Sequence, residues 1–215
     1  MVYIPNYVSK DQFYEKSIDE KTAIRKRYGI GADAFVVLGV GQVQTRKGVL
    51  DFVEVAKQLP DITFVWAGGF SFGKITDGYQ ELAQIMEHPP ANVKFLGIVP
   101  RSEMNDIFNA ADVLFMPSYN ELFPMSILEA VNVRRPLVLR DLELYEDILF
   151  HQYMEGKDNT QFVHALRVLK EDPQEYRRWQ NASTKIADFY SKEHVLQIWR
   201  EFYTRIYRER HHKKK

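Results

Sequence analysis

Two carboxylates eight residues apart, Glu121 and Glu129, follow the short run Asp112-Val113-Leu114-Phe115-Met116. That run has the length and residue types of a buried strand. Past Glu121, the apolar residues Ile127, Leu128, Ala130 and Val131 mark the packing surface of a short helix. A helix start presents unpaired N–H groups and a partial positive charge, so it favours an anion nearby. The spacing predicts Glu121 at that start and Glu129 about two helical turns further on. Two acids on one edge of a helix, at the carboxyl end of a strand, can hold the hydroxyls of a polyol.

A second stretch with chemical potential runs from Gly41 to Gly48 and contains Gln42, Arg46 and Lys47. Its glycines let backbone approach a ligand, the following helix offers N–H groups, and Lys47 adds a full positive charge. Together these suit a diphosphate. The stretch is neither a P-loop nor a dinucleotide fingerprint, because the G-x-x-x-x-G-K-[ST] pattern and the third glycine after Gly39 and Gly41 are both missing. No metal is expected, since the six histidines show no ligand spacing. No Ser/His/Asp arrangement can be defended either. Asp141-Leu142-Glu143-Leu144 reads as a helix cap near the same edge.

These residues need a scaffold, and the rest of the chain supplies one. Phe35–Gly41, Ile62–Ala67, Val93–Leu96, Asp112–Met116 and Pro136–Leu139 are strand-like. Amphipathic stretches alternate with them, and Val49, Phe52, Val53 and Ala56 fall on one helical face. This alternation with short connections predicts an α/β fold with a doubly wound parallel sheet, ligands sitting outside the carboxyl ends of its strands. Residues Asp19–Tyr28 read as a charged surface helix closed by Gly29. After about Leu149 the pattern becomes helical, over Asn159–Lys170, Gln174–Tyr190 and a last helix capped by Ser191. In that last helix Val195, Trp199, Phe202 and Ile206, with Leu196, Tyr203 and Tyr207 beside them, form a broad apolar stripe.

Composition is that of a soluble globular chain of 215 residues, 45% hydrophobic and 27% charged. Twenty-nine Lys/Arg balance twenty-nine Asp/Glu, which argues against nucleic acid as a partner. Cysteine is absent, so disulfides and thiolate metal sites are excluded. No run is long enough to span a bilayer and no signal-peptide pattern opens the chain, so a cytoplasmic location is expected. From Tyr176 onward eleven Lys/Arg face four acids. Such a basic end is attracted to anionic lipid, so a peripheral position on the inner face of the membrane is a further expectation. A solubilising tail is the alternative for Arg208–Lys215.

The Glu121/Glu129 pair with its preceding strand, Pro117-Ser118 and Phe123-Pro124, resembles the E-x7-E signature of the family 4 retaining glycosyltransferases, which have the GT-B fold. Gly41–Gly48 is similar to that family's V-G-R-x4-K-G segment, with Gln42 standing where the Arg is expected. Segments Gly39–Gly48, Trp66–Gly78 and Ser118–Glu129 look closest to bacterial enzymes that add a hexose to glucosyldiacylglycerol. The resemblance implies a Rossmann-like donor-binding half, residues 1–190, with the C-terminal helix and basic tail, 191–215, packing on a missing N-terminal domain. The Ile4-Pro5-Asn6 segment would follow the hinge from that domain.

The resemblance also assigns residues. Glu121 and Lys47 are the catalytic pair, Glu121 holding the donor hexose and Lys47 the diphosphate. Glu129 takes the nucleotide ribose. The donor-binding set is Gly41, Gln42, Lys47, Gly68, Gly69, Val99, Glu121, Leu122, Phe123 and Glu129. Gly68-Gly69 serves a tight turn beside the donor, and Val99, in Gly97–Pro100, lies where the family holds the nucleobase, although a bare turn fits that segment equally well. The implied donor is a UDP-sugar used without a cofactor or metal. A non-catalytic nucleotide or sugar-phosphate binding module, a transferase with a non-lipid acceptor and a flavodoxin-like regulatory domain are the alternatives. The last lacks its acidic cluster near the first strand.

Overall fold

The computed structural model describes residues 5–212. Most of the opening extended segment expected over residues 2–6, and the three last lysines of the basic end, lie outside the described residues. In chain order the elements are α1 (Ile18–Arg27), β1 (Val36–Val40), α2 (Val49–Gln58), β2 (Thr63–Ala67), α3 (Tyr79–Glu87), β3 (Val93–Phe95) and α4 (Met104–Ala110). There follow β4 (Val113–Met116), α5 (Met125–Asn132), β5 (Leu137–Arg140), α6 (Glu143–Leu149), β6 (Met154–Gly156), α7 (Asn159–Glu171), α8 (Pro173–Phe189) and α9 (Lys192–His212).

The strands form one sheet in the order β3-β2-β1-β4-β5-β6, each neighbouring pair parallel. Successive side chains of a strand point to opposite faces. Val36, Leu38, Leu114, Met116, Leu137 and Leu139 accordingly enter one core layer, packed under residues of α1, α4, α5, α6 and α8. Val37, Phe64, Trp66, Val113, Phe115 and Val138 enter the other, under α2, α3 and α7. A parallel sheet buried on both faces needs such nearly continuous apolar strands, and the doubly wound expectation is borne out. The chain leaves β3 at one edge and re-enters at β4 beside β1, so the winding reverses between β1 and β4. Loops leaving the carboxyl ends of those two strands flank the crevice where ligands of such sheets bind.

One feature departs from the sequence reading. The region after Leu149 is not purely helical, because Met154–Gly156 pairs with β5 and extends the sheet. Three residues at an edge carry no periodicity, and Gly156 marks the strand only through its close packing on Phe162. The cap at Asp141–Leu144 opens a short helix of its own, α6, with Leu142 as its N-cap.

The last helix begins where Ser191 predicts it, with the His194 N–H donating to Ser191 Oγ at 3.4 Å. Val195 is buried, whereas Trp199, Tyr203 and Tyr207 are exposed, the first two with stacked rings 5.5 Å apart. Among the described residues no helix is long and apolar enough to cross a membrane.

Candidate functional site

The exits of β1, β2 and β3 are stitched together by main chain. Gly41 N–H donates to the Ala67 carbonyl at 3.0 Å, Val43 N–H to Gly69 at 3.0 Å, and Gly68 N–H to Gly97 at 2.8 Å. The Trp66 indole donates to the Gly41 carbonyl at 2.9 Å. Gly68 has φ +147°, and a Cβ there would stand 1.8 Å from the Gly41 carbonyl oxygen. Only glycine lets these two strand exits touch. After Gly41 the chain makes a single 3₁₀ turn, Thr45–Lys47, before Gly48 (φ +69°) opens α2. A Cβ on Gly48 would lie 2.2 Å from the Pro117 carbonyl oxygen, so this glycine seats the start of α2 directly against the exit of β4.

That contact is reinforced along the loop between β4 and α5. Tyr119 N–H donates to the Arg46 carbonyl at 2.8 Å, and the Arg46 guanidinium donates to the Asn120 carbonyl at 3.1 Å. From β5, Arg140 donates to the Pro117 carbonyl at 2.9 Å. Glu121 therefore sits in a fixed loop rather than at a helix start, which corrects the sequence expectation. The helix begins only at Met125, with Pro124 as its N-cap. Proline disfavours helical geometry in the residue before it, which keeps Phe123 and the preceding loop out of the helix.

The two chemical stretches meet in an ion pair. The Lys47 ammonium donates to both oxygens of Glu121, at 2.6 and 2.8 Å, with side-chain exposures of 12% and 5%. Glu129, 3% exposed, lies inside α5 and takes a different cation, Arg101 from the turn after β3. Burial pushes the Glu129 carboxyl above the ordinary range, and the Arg101 guanidinium opposes that shift. The two acids are thus separately neutralised rather than sharing one partner.

The other expected residues spread around this edge. Gln42 is half-buried and accepts a hydrogen bond from Gln44 at 2.7 Å. Gly69 is buried, and Val99 is half-buried in the exit from β3. Leu122 is 88% exposed, while Phe123 packs edge-on against Tyr190 with ring centroids 5.5 Å apart. Two residues escaped sequence reasoning. Arg101 immediately follows Gly97–Pro100, so its charge beside that segment was a usable signal. Tyr145 offered none; it is fully buried on α6, and burial followed by the Glu121 charge holds its phenol well above the usual range.

Residues 20–186 match the family described as "Glycosyl transferases group 1". Over 203 residues the chain is 43% identical to the alpha-galactosylglucosyldiacylglycerol synthase of Streptococcus pneumoniae, covering 94% of this chain and 54% of that protein. It is 34% identical over 178 residues to the processive diacylglycerol alpha-glucosyltransferase of Acholeplasma laidlawii, with 81% and 52% covered. In architecture it is similar to the Anabaena protein HepE solved with UDP and glucose, at TM-score 0.81 and 21% identity, covering 94% of this chain and 55% of that one. It also matches the C-terminal domain of a group 1 glycosyl transferase from Francisella tularensis, at TM-score 0.70 and 20% identity, covering 86% and 99%. The chain spans about half the length of the curated relatives it matches. The doubly wound sheet, the stitched strand exits and the extent of these matches agree: the chain belongs to the group 1 glycosyl transferases, as the resemblance in its motifs implied.

Proposed function

We propose that this chain is the donor-binding half of a retaining hexosyltransferase that moves a hexose from a UDP-sugar to a glycolipid acceptor of the glucosyldiacylglycerol type. The observation that carries the reading is the meeting of Lys47 with Glu121 at the switch point of the sheet, with Glu129 buried in the adjoining helix. A cation beside the start of α2 suits a diphosphate, and buried carboxylates suit sugar hydroxyls. The names of the Streptococcus and Acholeplasma relatives support a diacylglycerol glycolipid, and the ligands solved with the Anabaena protein support UDP.

In this reading the bond between the hexose anomeric carbon and the diphosphate oxygen breaks, and charge grows on the leaving phosphate. Lys47 and the N–H groups opening α2 stabilise that charge where it develops. Glu121 orients the hexose and Glu129 anchors the ribose. Gln42 supplies hydrogen bonds but no charge, so neutralisation rests more heavily on Lys47. The acceptor is held by a second, N-terminal half, onto which α9 packs its exposed Trp199 and Tyr203. The basic end keeps the enzyme near anionic lipid.

The test is transfer itself. With a labelled UDP-hexose and glucosyldiacylglycerol, the 215-residue chain alone should form no product. Adding the N-terminal half of the Streptococcus relative, fused or separate, should give diglycosyl lipid. Robust transfer by the chain alone, or donor turnover without any acceptor dependence in the completed enzyme, would overturn the reading.

A further inference from the structure

Glu129 is an acid in apolar surroundings. Its neighbours along α5, Ile127, Leu128, Ala130 and Val131, are buried core residues, and its own side chain is buried with them. Burial favours the neutral form of a carboxyl, and a neutral carboxyl is a weaker acceptor for a sugar hydroxyl than a charged one. The proposed ribose contact therefore depends on whatever holds the charge in place. Arg101 does so: it donates to Oε1, and no other charged side chain bears on Glu129 among the described residues. The site's other cation, Lys47, is taken by Glu121.

Arg101 is itself held, although its side chain is largely exposed. Its backbone lies in a single 3₁₀ turn, Arg101–Glu103, where the Glu103 N–H donates to the Pro100 carbonyl at 2.9 Å. Its guanidinium carbon lies 4.7 Å from the centre of the Phe13 ring, within cation–π range. Phe13 is buried and meets Phe108 of α4 edge-on at 5.8 Å, so the ring is fixed. The guanidinium is thus set between a fixed ring and a fixed acid. The pair also leaves room for a ligand. Oε2 of Glu129 has no partner among the described residues, yet it is not sealed from solvent. A carboxylate accepts on both oxygens, so Arg101 can stay on Oε1 while a ribose hydroxyl donates to Oε2.

We propose that Arg101, held by Phe13, is a positioning residue that fixes the Glu129 carboxylate as acceptor of the ribose hydroxyls and so makes the site prefer ribonucleotides to their deoxy counterparts. Arg101 does not touch the nucleotide; it acts through Glu129. The inference rests on the reading of Glu129 as the ribose anchor and adds the residue on which that anchor depends, from a different strand exit.

The test is calorimetry on the 215-residue chain with UDP and with 2′,3′-dideoxy-UDP, which lacks both ribose hydroxyls. The ratio of the two dissociation constants is the ribose preference. Arg101→Ala should cut that preference about three- to tenfold near neutral pH, by weakening UDP while leaving dideoxy-UDP as it was. Arg101→Lys, which restores a cation on a long stem, should recover most of it. In a Glu129→Gln background, Arg101→Ala should change nothing. The pH profile gives a readout that a merely structural role would not move. Protonating Glu129 removes the charged acceptor, so the preference should fall as pH is lowered. Without its cation the carboxyl protonates at higher pH, so in Arg101→Ala the fall should come at higher pH than in the parent. Should Arg101→Ala fold poorly, Arg101→Gln keeps the stem, removes the charge and should act the same way. An equal loss for both ligands, a loss undiminished in the Glu129→Gln background, or an unmoved pH profile would overturn the proposal. Glu129→Gln separates the two levels. If it leaves the ribose preference intact, the ribose reading of Glu129 falls and the inference with it; if it erases the preference while Arg101→Ala does not reduce it, only the inference falls.

Discussion

Glu129 and Arg101 form an ion pair with unequal ends, and the asymmetry sets what each substitution should do. The Glu129 side chain is 4% exposed and that of Arg101 is 61% exposed. Arg101→Ala leaves a buried carboxylate without its cation. Breaking a fully buried pair costs roughly 3–5 kcal/mol, but solvent screens this guanidinium, so about 1–2 kcal/mol is expected near neutral pH. Glu129→Gln removes the buried charge and leaves Arg101 in water, so stability should change by less than about 1 kcal/mol. Affinity should show the reverse order. Losing a charged acceptor for the ribose costs about 1.5–3 kcal/mol, roughly ten- to a hundredfold in Kd for UDP.

The pH dependence follows from the raised Glu129 carboxyl, which has an ordinary value of 4.5. The folded chain holds this proton more tightly than the unfolded chain. The stability it contributes is therefore complete below the ordinary value and is lost as pH rises through the folded value. Arg101→Ala removes the opposing cation and should steepen that loss, whereas Glu129→Gln should abolish it. Urea unfolding between about pH 4 and pH 8 reads the stability, and calorimetry reads the affinity. A Glu129→Gln variant less stable than Arg101→Ala near neutral pH, or one that binds UDP as tightly as the parent, would refute the reasoning.

Under the proposed reading, in which position 42 faces the diphosphate, Gln42→Arg should tighten UDP binding more than uridine binding; equal effects on both would mean that position 42 faces something else. Deleting Arg208–Lys215 should weaken sedimentation with anionic vesicles, and the difference should shrink as salt rises because the attraction is screened. A deletion that binds the vesicles as well as the parent does would leave the tail without that role.

Much of this was written in the sequence because the physics that writes it is local. The apolar runs that became β1, β2 and β4 must be buried on both faces, so composition alone marks them. Val49, Phe52, Val53 and Ala56 repeat with a helical period because α2 buries one face. What stayed hidden depends on contacts between distant segments. Nothing in the spacing of Lys47 and Glu121 says that they bind each other across 74 positions. The same holds for Arg101 and Glu129, which come from the exits of different strands. Glu121 was misplaced for a local reason that could have been weighed. Pro124 delays the helix to Met125, so a spacing of eight residues does not measure helical turns here. The edge strand β6 left no trace because three residues cannot show a period of two.

The central claim is that the carboxyl edge of this sheet holds a uridine nucleotide through its diphosphate. Calorimetric titration of the 215-residue chain with UDP, referenced to uridine, tests it most directly. The account predicts saturable binding of UDP that weakens with added salt, with uridine binding at least about tenfold more weakly, the worth of one charge-assisted contact to Lys47. Equal affinities for UDP and uridine, or no heat from either at millimolar concentration, would contradict it.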